Sequence, residues 1–524
     1  MDLSKGLLRY VAILLLFGSG VVVTLRVGAG LHSDQPVSEV SKAAAVLTAS
    51  PEHTAKASSN IASALWTNLR HPVSLLLVQV IVILVVARVV GMFLRKAGQP
   101  VVVGEMIAGI LLGPSFLGML SPETMTFLFP PQSLGSLGLL SQIGIITFMF
   151  VVGMELNLKQ IRRKAHAAVL VSHASIIVPF FFGTVFSLLI YRSFAPGNVN
   201  FTAFALFMSV AMSITAFPVL ARILEDRGLT RTSLGSTAIA CAAVDDVTAW
   251  CILAAVISIA KASGLSGVAV TILLTFLFIA LMLFVLKPRI ARLPAIADFE
   301  RQTQRGGLVA MVLAFVLASA LFTEIIGIHA LFGAFLAGVV MPSDSGLRKF
   351  LAERLEVITS CFLLPLFFAF TGLRTQIGLL NDWSSWVLCA VVIAVAIAGK
   401  LGGSALAARW AGMSWSESLS LGVLMNTRGL VELIVLNIGY DLGILSPRLF
   451  SMMVIMAITT TFMTGPLLSL VEFWRRKQLE ASVPSLSLAA DQRITTEEEK
   501  KWKNCIRRKE CAPDRSYQES VSEH

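Results

Sequence analysis

Charge is what this sequence has least of. Only 14% of its 524 residues are Asp, Glu, Lys or Arg, whereas a soluble domain carries about 25%. A water-soluble fold of this length would lack the polar groups needed to coat itself. Tyrosine (4), histidine (7) and cysteine (6) are also scarce. The cysteines, at 241, 251, 361, 389, 505 and 511, show neither a metal spacing nor a disulfide framework. The histidines do not cluster, so no metal centre and no cofactor is expected, and nothing points to an enzyme. No strand followed by a GxGxxG turn occurs in the charged tail, 473–524, so no nucleotide-binding regulatory domain is expected there. Period-2 alternation is missing too, which disfavours a porin-type barrel. The net charge of +11 raises the thought of nucleic acid, but the Lys and Arg residues sit beside apolar runs, so no nucleic-acid partner is expected.

Apolar sequence is what remains. It makes up 56% of the chain, and about fourteen stretches meet the length of roughly 20 residues that a spanning helix needs. They are 7–25, 72–95, 100–119, 135–155, 166–191, 201–225, 233–260, 265–287, 305–323, 326–341, 356–373, 384–409, 415–440 and 448–472. The expected fold is an all-α polytopic membrane protein. Lys and Arg concentrate in alternate connections, for example Arg95 and Lys96, the run 159–164, Arg222 and Arg227, the run 287–305, Arg348 with Lys349, and 475–477. The positive-inside rule puts those connections, and the tail after 472, in the cytosol. A plasma (bacterial inner) membrane is the expected location. Residues 1–30 resemble a signal peptide or an uncleaved anchor. Residues 31–71 form a polar external loop, and 473–524 a charged, mostly disordered tail.

Ionisable residues deep in apolar segments are costly, and they usually mark a pathway or a cavity. Asp245 and Asp246 lie at the middle of 233–260. Two adjacent carboxylates in a low dielectric repel, and they cannot both stay charged without a partner. That suits a site exchanging a proton for a cation, and oxygen ligands suit a hard cation. Lys400 stands about four residues past the middle of its segment, roughly 6 Å along the axis, among Gly399, Gly402 and Gly403. An unpaired buried Lys would lose its proton, so a carboxylate partner is expected. Arg428 and Glu432 are four apart and can pair on one helix face. Their segment is weakened by Gly422, Asn426, Thr427 and Gly429, and the segment 201–225 is interrupted at Ser213, Thr215 and Pro218. Such discontinuous helices expose dipole ends at mid-membrane, which is how transporters hold ions. Residues 212–220 align weakly with 425–433 at an offset of 213, which sets Asp246 against Thr459. Glu105, Glu155 and Glu324 stand near segment ends and read as interfacial residues or salt-bridge partners. Arg88 has no evident partner.

Taken together, these residues resemble the monovalent cation:proton antiporter-2 family from about residue 100 to 470. The resemblance rests on Pro100-Val-Val-Val-Gly-Glu105, Gly153-Met-Glu155, Ala216-Phe-Pro-Val-Leu-Ala-Arg222, the Asp245-Asp246 pair, Gly333-Ala-Phe-Leu-Ala-Gly338 and Asn426-Thr-Arg428-Gly. The last element is most similar to the plant cation/H⁺ exchanger (CHX) branch and its bacterial relatives. The resemblance implies an inverted-repeat fold of about thirteen helices, with a six-helix core and a dimerisation domain. It further implies that Asp246 carries the cation or the proton, and that Asp245 pairs with Lys400. Paired carboxylates resemble the electrogenic members. Some sodium-specific relatives have a Glu where this chain has Leu430, with its acid at Glu432 instead.

The sequence therefore reads as a homodimeric Na⁺ (or K⁺)/H⁺ antiporter working by alternating access. Asp245, Asp246, Thr215 and Lys400 would bind the ion or proton, with Asp246 and Asp245 as cation ligands. Ser213, Arg428, Glu432 and Thr459 would support the core. Within an antiporter domain of 72–472, the core would be 165–260 and 384–472, the scaffold 72–155 and 305–380, and the linker helix 265–287. The alternatives are a cation channel and an electroneutral K⁺/H⁺ exchanger. An intramembrane aspartyl protease needs carboxylates facing each other, whereas neighbours on one helix point about 100° apart.

Overall fold

Each long apolar stretch becomes a helix, because in lipid a helix is the one local way to pair every backbone N–H and C=O. The computed structural model describes residues 3–33, 68–69, 71–155, 165–230, 232–261, 265–292, 305–342 and 346–482. The loop expected over 31–71 lies almost wholly outside the described residues, as does the tail beyond 482. Among the described residues, eleven helices are long and apolar enough to cross a membrane. A twelfth span is the pair Trp415–Met425 and Leu430–Asp441, bent by 42° at its break. The two remaining predicted stretches are Phe201–Ser213 followed by Phe217–Asp226, and the short Ala330–Val340.

In chain order the helices that concern us are α1 (Leu3–Gly28), α2 (Pro72–Lys96), α3 (Val101–Leu112) and α4 (Pro131–Glu155). Next come α5 (Ala165–Phe194), α6 (Phe201–Ser213), α7 (Phe217–Asp226) and α8 (Ser233–Lys261). After Leu265–Ala280 and its continuation to Ala291 follow α9 (Arg305–Ile326), α10 (Ala330–Val340) and α11 (Leu364–Arg374). The last are α12 (Trp383–Ile397), α13 (Gly403–Trp410), α14 (Trp415–Met425), α15 (Leu430–Asp441) and α16 (Pro447–Ser482).

Small residues set the closest crossings. A Cβ on Gly153 of α4 would run into the Phe335 carbonyl and lie 3.0 Å from the Gly338 Cα of α10. Gly109 of α3 meets the backbone of Ala369 in α11 in the same way, and Gly104 lies against Gly91. Backbones in contact gain dispersion where lipid offers no hydrophobic drive. The motifs around Gly104, Gly153 and Gly338 are therefore packing signatures. The outward face of α2, with Val73, Leu77, Ile81, Val85 and Val89 at every fourth residue, is left exposed and apolar.

The structure corrects three sequence expectations here. Glu105 is buried, at 6% exposure, because α3 is drawn against α2 at Gly104. Arg88 on α2 lies close enough for its charge to act on it. The helix feeding α11 begins at Gly346, ten residues before the apolar stretch. Its first turns are amphipathic, with Lys349 and Glu353 3.9 Å apart, and a pure hydropathy criterion misses them. The last helix runs on to Ser482, past the expected end near 472. The first segment is a continuous helix whose Tyr10 stacks edge-on to His173 of α5 and whose Phe17 meets Phe181.

Candidate functional site

Two broken spans cross at their breaks. α6 stops at Ser213, residues 214–216 are extended, and α7 starts at Phe217 with Pro218 in its first turn, where a missing N–H costs nothing. α14 stops at Met425, and α15 starts at Leu430. The two unwound strands hold each other through their backbones. Ala216 N–H donates to the Thr427 carbonyl at 2.9 Å, and the Thr215 hydroxyl lies 3.1 Å from the Met425 carbonyl.

A helix ending in an apolar interior leaves four carbonyls without partners and a partial negative charge. Two cations answer the end of α6. The Arg428 guanidinium donates to the carbonyls of Ala211 at 2.9 Å and Met212 at 2.6 Å, and Lys400 donates to that of Ser213. Arg428 also reaches Glu432 at 3.2 Å, and both side chains are fully buried. Glu432 sits in the first turn of α15, where the helix dipole favours an anion.

Lys400 lies in a π-helical turn, Ala398–Gly402, inserted between α12 and α13. Single π turns re-aim side chains and recur at functional sites. Gly399 brings this turn against Pro179 of α5, and Gly403 brings it against Val178. Pro179 has no N–H, so the carbonyl four residues earlier, that of Ser175, is released from the α5 ladder. That carbonyl accepts from Lys400 Nζ at 2.9 Å. The ammonium completes its set with Asp245 Oδ2 at 3.0 Å.

Asp245 and Asp246 are chain neighbours with opposite surroundings. Asp245 accepts from Ser172 at 2.5 Å, Ser175 at 2.6 Å and Thr215 at 2.7 Å, besides Lys400. Asp246 is as deeply buried, at 1% exposure, yet among the described residues neither of its oxygens meets a donor. One carboxylate is held inside a cage of donors. The other is an uncommitted ligand beside it.

The structure thus brings together Thr215, Asp245 and Lys400, with Asp246 adjacent and Ser213 contributing its carbonyl. Arg428 and Glu432 lie across the same break. Thr459 does not join them, because it is exposed on α16. Thr461 takes that role: its hydroxyl donates to the Arg428 carbonyl at 2.6 Å and receives the Arg428 N–H at 3.1 Å. Ser172 and Ser175 were also missed. The Ser175–Pro179 spacing was a readable signal for a freed carbonyl. Among the described residues no group of three or more His, Cys, Asp or Glu is placed to hold a metal ion.

A separate cavity of about 320 Å³ opens along α15, beyond Glu432, and Glu324, His329, Arg374, Asn437 and Asp441 are among its lining residues. Arg374 spans it, donating to Asp441 at 2.8 Å and to Asn437 at 3.1 Å.

The chain has relatives among known proteins. The chain is 45% identical over 394 residues to the Na⁺/H⁺ antiporter NhaS4 of Synechocystis sp., covering 75% of this chain and 96% of that protein. It is 42% identical over 403 residues to cation/H⁺ antiporter 17 of Arabidopsis thaliana and 35% identical over 412 to K⁺/H⁺ antiporter 1 of Saccharomyces cerevisiae. Those matches cover 76% and 77% of this chain, which spans about half the length of the plant and yeast proteins (48% and 47%). Among solved structures, the sodium proton antiporter MjNhaP1 from Methanocaldococcus jannaschii shares the fold, with a TM-score of 0.56 at 14% identity. That match covers 76% of this chain and 96% of the archaeal one. The model of the family described as sodium/hydrogen exchanger, transmembrane, matches residues 81–474, and the chain belongs to that family.

Proposed function

We propose that this protein exchanges Na⁺ or K⁺ for H⁺ across a membrane by alternating access, with Asp246 as the shared site. The observation that carries the reading is the asymmetry of the carboxylates: Asp245 is bonded to four donors and Asp246 to none. A buried carboxylate without a donor must take a proton or a cation, and one group cannot hold both. That exclusion is the coupling. A proton that arrives displaces the cation, and a cation that arrives displaces the proton.

Asp245 exchanges its Lys400 bridge for the cation when the ion binds, so the ammonium is intermittently free. The crossed helix ends, already balanced by Arg428 and Lys400, let the site open to one side and then the other without leaving bare carbonyls in lipid. The moving core comprises 165–260 and 384–472, and the scaffold 72–155 and 305–380, linked by 265–287. Both chains of a homodimer would carry such a core. The lysine- and arginine-rich connections and the C-terminal tail face the cytosol of a plasma membrane. The cavity at Arg374 and Asp441 then opens to the outside.

The test is proton movement in proteoliposomes. Addition of Na⁺, K⁺ or Li⁺ should release or take up protons, and choline should not. Cation current with no proton dependence would overturn the reading in favour of a channel.

A further inference from the structure

Trp250 is one of the largest buried side chains among the described residues, at 2% exposure, and its indole N–H meets no acceptor among them. Buried tryptophan N–H groups nearly always find one. Trp250 follows Asp246 by four residues on the continuous helix α8, so the two share a face. Long side chains on a helix lean toward its N-terminus. That lean directs the indole toward the turn that bears Asp246. A donor and two acceptor oxygens, all buried, lie one turn apart and do not bond each other.

Thr248 returns its hydroxyl to the Val244 carbonyl at 2.8 Å, Thr215 is held between Asp245 and Met425, and Asp245 has its four donors. The indole N–H is a donor left unpaired, among the described residues, on the helix face that bears Asp246. An N–H cannot ligate a cation directly, since its hydrogen carries positive charge. It can hold the oxygen of a water molecule that uses its remaining lone pair on a cation.

We propose that Trp250 is a specificity-determining residue for the exchange: its N–H fixes one water that stays on the cation bound at Asp246. The ion thus crosses partly hydrated, and the fixed distance between indole and carboxylate sets which hydrated ion fits. The proposal rests on the antiport reading. It departs from a purely structural role for the tryptophan, which would not distinguish bound cation from bound proton.

The experiment compares wild type and Trp250→Phe in proteoliposomes, varying Na⁺ and, separately, K⁺ at fixed pH. Losing one hydrogen bond should raise the apparent KM for the preferred cation about three- to ten-fold. Vmax should stay within about two-fold, and the KM ratio between the two cations should narrow. Should the Phe protein fold poorly, the sulfur isostere benzothienylalanine at position 250 keeps the ring shape and removes the N–H alone, with the same expectation. An unchanged KM in a folded variant overturns the proposal, as does a loss confined to Vmax. Absence of cation-driven proton movement in wild type would sink the antiport reading instead, so the two failures are distinguishable.

Discussion

Replacing Arg428 with Gln should be the most destabilising single change at the helix crossing. The guanidinium is fully buried and serves three acceptors: the carbonyls of Ala211 and Met212 and the carboxylate of Glu432. Without it, two helix-end carbonyls and one buried carboxylate lose their donors together. The second oxygen of Glu432 already has no partner, so the carboxylate could not fall back on another contact. Removing one member of a buried ion pair costs about 3–5 kcal/mol. Glu432→Gln should cost less, about 1–3 kcal/mol, because Arg428 keeps both carbonyls and the negative end of α6. In the double variant no charge is left unpaired, so its loss should fall short of the sum by about 0.5–3 kcal/mol. The assay is the thermal survival of a fluorescent fusion in detergent, followed by size exclusion, for all four proteins. Strict additivity, or Glu432→Gln proving worse than Arg428→Gln, would refute the reasoning.

Thr461→Val should destabilise the crossing by about 1–3 kcal/mol, because two backbone groups of Arg428 lose their partner, whereas Thr459→Val should be nearly neutral by the same assay. If two protons cross per cation, one on Asp246 and one on Lys400 when it is released from Asp245, then Lys400→Gln, where it still transports, should exchange one for one. That two-for-one exchange would move one net charge per cycle, worth about 2.3 kcal/mol per 100 mV, so clamping the potential with K⁺ and valinomycin should change Na⁺-driven proton flux. No response to potential would reduce the Asp245–Lys400 pair to a structural bridge. Asp382 stands at the N-terminal boundary of α12, and its carboxylate accepts from the side chains of Ser384, Ser385 and Arg448. Chiefly the two serine hydroxyls, then the arginine, pull its carboxyl down to about 2. A lowered carboxylate contributes stability above its unfolded value, about 3.9, and loses it as pH falls toward the folded one. The gap in melting temperature between wild type and Asp382→Asn should thus be flat from pH 8 to 5 and close between about pH 4 and 2.

The site was legible where it broke a rule of composition. Asp245, Asp246, Lys400, Arg428 and Glu432 are charges inside apolar runs, and each proved buried at the crossing. Both breaks were legible from Pro218 and from the Asn426–Gly429 run, since neither continues a helix well. The serines were not. A Ser in an apolar helix usually bonds its own backbone, as Ser187 and Ser209 do. Nothing local says that Ser172 and Ser175 turn outward to Asp245. Thr459 failed for a geometric reason. The repeat offset fixes a position in the chain, but a shift of two residues rotates a side chain about 200° around a helix, and Thr461 rather than Thr459 faces the break. Glu105 was misplaced because burial there depends on Gly104 meeting Gly91, a contact between helices that no single segment encodes.

The central claim is that Asp246, alone of the two carboxylates, carries the cation and the proton. The most direct measurement is cation-driven proton movement by Asp246→Asn in proteoliposomes, beside wild type at equal incorporation. The amide keeps the shape of the side chain but cannot titrate. The expected result is that exchange is abolished while the variant elutes and melts like wild type, since among the described residues Asp246 makes no side-chain hydrogen bond whose loss could unfold it. Exchange retained at more than a small fraction of the wild-type rate would contradict it.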